Sequence, residues 1–191
     1  MSDDRLARQI AFLVEADRLK TILRRTPLVD RSRLENSAEH SWHLVLTAMV
    51  LGEYTTSGYD LLRVLQTVAV HDLVEIDAGD TFAYDEKGQT TRAARELAAA
   101  DRIFGLLPLD QGARLRALWE EFEAQATPES RFAHAVDRFQ PLLQNAFAGG
   151  GSWQEEGVTR DRVLRRMAPV ESATPALWPT VLRIIESLIP R

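Results

Sequence analysis

Apolar residues along the chain recur at three- and four-residue spacing far more often than they alternate, which predicts helices rather than strands. Leu6, Ile10, Leu13, Val14 and Leu19 follow this spacing and predict a first helix over residues 3–25, ended by Pro27. Asn36-Ser37-Ala38-Glu39 reads as a cap with a glutamate three residues on, opening a helix that runs to about Tyr54. Gly58 breaks the chain, and Asp60 caps a helix predicted over 61–75. Its apolar residues (Leu61, Leu62, Val64, Leu65, Val68, Ala69, Val70) imply burial on most sides. Residues 77–88, with Gly79, Asp80, Asp85 and Gly88, read as a loop.

Further helices are predicted over 89–106, 110–126 and 128–147, the last opened by Thr127-Pro128-Glu129. Ala148-Gly149-Gly150-Gly151-Ser152 is the one stretch that reads as flexible. Helices over 159–167 and 174–188 follow, the second with a similar Thr174-Pro175 start. Val, Ile and Thr nowhere cluster in alternating runs with hairpin turns. The expected class is all-α, a compact multi-helix bundle. The segment after Gly151 is short for an independent core, so a single domain over 1–191 is expected, with helices at about 159–190 packing on a core at about 5–145.

Composition narrows the chemistry. The chain has no cysteine, which excludes disulfides and thiolate metal sites, so any metal must be held by nitrogen and oxygen. A net charge of −5 and a pI near 5.4 oppose duplex nucleic-acid binding, which needs a concentrated basic surface. The start at Met1-Ser2-Asp3-Asp4-Arg5 lacks the pattern of a signal peptide, and no apolar run approaches the ~18 residues that span a bilayer. A cytoplasmic protein with no membrane partner is expected.

Four histidines occur, at 40, 43, 71 and 134. His71-Asp72-Leu73-Val74-Glu75 ends a helix apolar enough to be core, and ionisable groups there need pairing or a cation. In a continuous helix His71 and Glu75 are related i, i+4, and Asp72 and Glu75 i, i+3, so all three converge on one face. A metal centre and a hydrogen-bonded network at the helix end both fit that spacing. His40 lies in the first turn of its helix with His43 beside it by helical spacing. Asp137 sits mid-helix among apolar residues, where propensity disfavours it, and a salt bridge to Arg138 is the plain alternative to a ligand role.

Longer matches point further. Glu35-Asn36-Ser37-Ala38-Glu39-His40-Ser41 resembles E-N-x-x-E-H-S, and His71-Asp72-Leu73-Val74-Glu75 through Gly79-Asp80 resembles H-D-x-x-E-x-x-x-G-D, with Ala135-Val136-Asp137-Arg138 supplying a late aspartate. Together, over roughly residues 5–145, they resemble the HD superfamily of metal-dependent phosphohydrolases, and within it the bacterial 5'-deoxynucleotidase branch. The resemblance implies that His40, His71, Asp72 and Asp137 coordinate one divalent metal, with Mn, Co, Mg, Fe, Ni and Zn all compatible with such a donor set. It implies that Glu75 is the general acid/base, that Asp80 contacts the sugar and that Arg25 binds phosphate. It also implies homodimers and a nucleotide substrate.

One position departs from that branch. Its pattern places Trp after the phosphate-binding Arg, against the sugar, where this chain has Thr26. Trp42 faces away from the Arg25 segment in the helical reading and is no replacement. The expected function is therefore release of phosphate from nucleoside 5'-monophosphates without strict deoxy preference. Another phosphorylated metabolite, or a metal-stabilised binding module without turnover, are the alternatives.

Overall fold

The computed structural model describes residues 3–56, 58–155 and 157–189. Its centre is formed by three helices that pack on one another: α2 (Ser37–Leu51), α3 (Leu61–Val70) and α7 (Pro128–Phe147). Leu44, Val64, Val68, Phe132, Ala133, Val136 and Leu142 meet there, fully or nearly fully buried. A second apolar cluster joins α1 (Asp3–Ala16), the short α4 (Glu75–Ala78), α5 (Glu86–Gly105) and α6 (Leu109–Ala124) through Phe12, Ile76, Ala100, Ile103, Phe104 and Leu118. The all-α class is as expected.

Helix starts follow the caps in the sequence. Asn36 Oδ1 accepts from the Glu39 amide at 2.9 Å while Glu39 Oε2 accepts from the Asn36 amide at 3.1 Å, a closed capping box. Thr127 forms the equivalent box with Ser130 ahead of Pro128.

The predicted helix over 3–25 ends early, at Ala16. A 3₁₀ turn, Asp17–Thr21, follows, buries Leu19, and leads into β1 (Leu23–Pro27), which pairs antiparallel with β2 (Leu34–Asn36). Tertiary packing overrides local propensity here. The turn between the strands places Arg31 at φ +63° and bonds its amide to the Leu28 carbonyl at 2.9 Å. A strand alternates its side chains, so Arg24 and Thr26 turn inward while Leu23 and Arg25 are exposed.

The predicted helix over 61–75 is likewise broken. α3 stops at Val70, His71–Val74 form a 3₁₀ turn, and α4 restarts at Glu75 and closes at Gly79, whose φ of +73° suits glycine. The loop read over 77–88 starts two residues late, since Asp77 and Ala78 belong to α4.

The Gly149-Gly150-Gly151 stretch is an ordered turn, not a slack linker. All three glycines have positive φ (+70°, +105°, +48°), and the turn seats Trp153 in the core. Beyond it, α8 (Arg160–Arg166), α9 (Ala168–Ala173) and α10 (Trp178–Leu188) bury Val163, Val170, Val181 and Ile185 against the central helices. Thr174 does not cap the last helix as predicted. Its hydroxyl donates to the Val170 carbonyl at 2.9 Å and closes α9 instead.

His134 belongs to this core. Its Nε2 donates to the Phe122 carbonyl at 2.8 Å, and its ring stacks on Phe122 with centroids 3.9 Å apart. Burial, helped by Arg138, depresses its pKa to about 4. A depressed histidine stabilises the fold while both states are neutral. That stability is lost as pH falls through the unfolded value of about 6.5 toward 4. His134→Gln should flatten the slope in that window, so that wild type loses about 1–2 kcal/mol more than the variant between pH 7 and 5. Urea midpoints of both proteins at the two pH values measure it, and parallel losses would refute the assignment.

Candidate metal centre

Three elements bring the ionisable residues together: the first turn of α2 delivers His40, the 3₁₀ turn after α3 delivers His71 and Asp72, and the middle of α7 delivers Asp137. Ligand atoms of His40, His71 and Asp72 lie within 4.8 Å of one another, and all three residues are buried. Asp137 Oδ1 stands 2.9 Å from His40 Nε2 and 3.9 Å from His71 Nε2. Asp72 Oδ1 stands 2.9 Å from His71 Nε2, and its Oδ2 4.0 Å from His40 Nε2.

The ring tautomers follow from the opposite edges. His71 Nδ1 donates to the Val68 carbonyl at 2.9 Å, so a neutral ring turns the lone pair of Nε2 inward. That buried Nε2 has no hydrogen bond among the described residues, although a carboxylate oxygen lies 2.9 Å away. A lone pair facing a carboxylate at that distance is repulsive unless a cation sits among them. His40 Nδ1 donates to Gln140 Oε1 at 2.9 Å, which aims its Nε2 at Asp137 Oδ1, also 2.9 Å away. Gln140 is held in turn: its Nε2 donates to Glu35 Oε1 at 2.9 Å and to His43 Nδ1 at 3.0 Å. Gln144 Nε2 donates to the same Glu35 oxygen at 2.7 Å. His43 thus braces the site from behind. The donor set fits a divalent metal, and His40, His71 and Asp72 form a site able to hold one.

The charges are strongly coupled. Burial and Arg24 oppose protonation of His40, yet Asp137 and Glu35 beside it raise its pKa to about 9. Burial opposes ionisation of Asp137, but Arg138 and His40 hold it well below the usual carboxylate range. Burial, then Asp72 and Asp80, push Glu75 well above the usual value, and Ser37 Oγ donates to Glu75 Oε2 at 2.6 Å. Asp80 is raised by burial and Asp72, with Arg24 opposing.

Arg24 reaches this cluster. Its guanidinium lies 3.4 Å from Glu35 and Asp72 and 3.6 Å from Asp80. Arg25, on the outer face of β1, has a 61% exposed side chain, pairs with Glu155 at 3.3 Å and lies over the Phe82 ring. Both arginines, Thr26 and Asp80 line a cavity that Asp137 borders from inside, and Arg138, Trp153, Arg166 and Met167 complete its wall. Trp42 is exposed and is not among the residues that line this cavity.

Sequence reasoning noted Arg24 only as the neighbour that competes with Arg25 for the phosphate, and passed over Gln140, Gln144 and Arg166. Gln140 and Gln144 share a helix face with Asp137, at i+3 and i+7, and that periodicity is the signal that could have found them.

A family model described as HD domain matches residues 16–178, and the chain belongs to the HD domain family. Among its relatives, human 5'-deoxynucleotidase HDDC2 is 31% identical over 112 residues, covering 59% of this chain and 53% of that protein. The 5'-deoxynucleotidase hdd1 of Schizosaccharomyces pombe is 26% identical over 140 residues, covering 71% of this chain and 69% of that one. The chain spans about half the length of the vertebrate relatives it matches. The crystal structure of a predicted metal-dependent phosphohydrolase from Magnetospirillum magnetotacticum MS-1 superposes with a TM-score of 0.92 at 47% identity, covering 97% of this chain and 93% of that one.

His71→Ala and Asp72→Ala should each abolish metal binding with helicity largely kept, because the apolar clusters do not depend on them. Gln140→Ala leaves every inward donor present but frees the His40 ring, and should weaken metal affinity by about 10–100-fold. Metal analysis and competition with a chelator read both. Full occupancy in His71→Ala would sink the donor assignment.

Proposed function

We propose that this chain is a metal-dependent phosphoric monoester hydrolase acting on nucleoside 5'-monophosphates, with His40, His71, Asp72 and Asp137 as metal ligands. One observation carries the reading: a cluster of buried imidazole and carboxylate donors, with the buried Glu75 interacting with Asp72 and Asp80, adjoins through Asp137 a cavity lined by guanidinium groups. The Magnetospirillum protein and the two deoxynucleotidases support it. When bound, a divalent ion supplies Lewis acidity toward the phosphoryl group and acidifies water beside it.

The residues divide the remaining work. Glu75, its pKa raised by burial and by Asp72 and Asp80, takes the proton of the attacking water and delivers it to the departing sugar oxygen. Ser37 holds its carboxyl in place for both steps. Arg24, clasped by three carboxylates, positions Asp72 and Asp80 and is not free for substrate. Arg25 has one exposed partner to release, so it is the arginine that can turn to an incoming phosphate. Asp80 accepts from a sugar hydroxyl. Thr26, buried on the cavity wall, leaves room at the 2' position.

Exposed apolar side chains on α1 (Leu13 and Val14, each 67%) and on α2 (Trp42, Met49, Val50) support a homodimer. Among the described residues no helix is long and apolar enough to cross a membrane. The cytoplasm is the proposed compartment.

A phosphate-release screen over nucleotides and sugar phosphates, with each divalent metal, tests the activity. No release from any of them would overturn it. Glu75→Gln should keep its metal and lower kcat by about 10²–10⁴-fold, and unchanged turnover would demote Glu75 to a structural role. Matched deoxy and ribo monophosphates should show similar kcat/KM. Thr26→Trp should create a deoxy preference by worsening ribonucleotide turnover. Strong deoxy preference in the unmodified chain would show that another residue excludes the hydroxyl.

A further inference from the structure

Beside the catalytic cavity, and sharing Ala83, Tyr84, Arg138 and Arg166 with it, lies a second hollow of about 360 Å³. Arg162 and Arg165 line it as well, which gathers four guanidinium groups around one space in a chain of net charge −5. Little neutralises them. Arg138 pairs with Asp137, and among the described residues the one carboxylate within 4.0 Å of Arg162 is the exposed Glu86, at 3.4 Å. Among the described residues no carboxylate lies within 4.0 Å of Arg165 or Arg166.

Three further observations point to an anion. Arg162 is fixed rather than free: it donates to the carbonyls of Gly157 and Tyr84 at 2.6 and 2.8 Å, with its guanidinium carbon 5.4 Å from the Tyr84 ring centre. The buried hydroxyl of Tyr84 has no hydrogen-bond partner among the described residues. The inner cavity gives the centres of water-sized groups about 50 Å³ and the hollow about 360 Å³, so the roomier of the two adjoining spaces lies on the arginine side.

We propose that this hollow is a second phosphate subsite, and that the preferred substrate carries a further phosphate on the alcohol released by hydrolysis. The proposal rests on the phosphohydrolase reading above and narrows its substrate class from nucleoside monophosphates to nucleoside bisphosphates. The guanidinium donors of Arg165 and Arg166, with the Tyr84 hydroxyl and the positive charge of Arg138 and Arg162 around them, match the oxygens of a phosphate monoester. Arg166 is suited to the role: burial, then the neighbouring Arg138, depress its pKa to about 9 against the opposing pull of Asp137.

The test compares adenosine 3',5'-bisphosphate with adenosine 5'-monophosphate. Their dissociation constants are measured on the metal-loaded Glu75→Gln protein, and kcat/KM on the unmodified enzyme. The bisphosphate should bind about tenfold to a hundredfold more tightly. Arg166→Gln should remove most of that advantage. Arg165→Gln, at an exposed position that cannot unfold the chain, should remove part of it. Circular dichroism checks that Arg166→Gln stays folded, and if it does not, Arg165→Gln decides alone. Equal affinity for the two nucleotides, or a preference that survives both substitutions, overturns the subsite. Should neither nucleotide release phosphate, the hydrolase reading fails by itself, and the ratio of dissociation constants still decides whether the subsite exists. Should Glu75→Gln consume the ligands, the role of Glu75 fails instead and the kcat/KM ratio decides.

Discussion

Two imidazoles and several carboxylates packed into one buried volume are tolerable only with positive charge among them. The chain meets part of that demand itself, with Arg24 against Asp72 and Asp80 and Arg138 against Asp137. It leaves the rest open on purpose of geometry: the outer edges of both rings are occupied by hydrogen bonds to Val68 and Gln140, so the inner nitrogens point at carboxylate oxygens. Much of the local architecture serves this arrangement. The 3₁₀ turn at His71–Val74 aims both residues of the His-Asp pair, and the Glu35, Gln140, Gln144 and His43 network keeps the His40 ring from rotating.

Much of this was legible in the sequence because it depends on short-range signals. The cap at Asn36 places His40 in a first turn, and the apolar run before His71 makes its burial inevitable. The helix from Pro128 to Phe147 has the predicted bounds, since a capping threonine and proline open it and glycines end it. Asp137 within it was correctly suspect. A carboxylate on an apolar helix face needs a partner, and the structure provides two in His40 and Arg138.

What was missed lay where distant contacts decide local form. Leu23-Arg24-Arg25-Thr26 carries no strong strand signal, and only its pairing with Leu34–Asn36 makes it extended. That change of period from 3.6 to 2 separates Arg24 from Arg25, which a helical reading leaves indistinguishable. The glycine triplet is a similar case. Composition suggested slack, whereas positive φ angles turn the chain sharply enough to seat Trp153 in the core and carry Arg166 to the cavity wall. Nothing local to Arg166 announces that destination.

The order of residues along the chain also sets an order of events during synthesis. His40, His71, Asp72 and Asp137 all precede the glycine turn, whereas Ser152, Trp153, Arg166 and Met167 of the cavity wall follow it. A nascent chain therefore presents its inward donors while that last part of the wall is still inside the ribosome. An ion captured at that stage would tie α2, α3 and α7 together before α8 to α10 arrive. The late segment then docks on α7, with Val163, Val170, Val181 and Ile185 fixed by the core, which leaves its cavity-facing positions as the natural place for substrate preference to diverge.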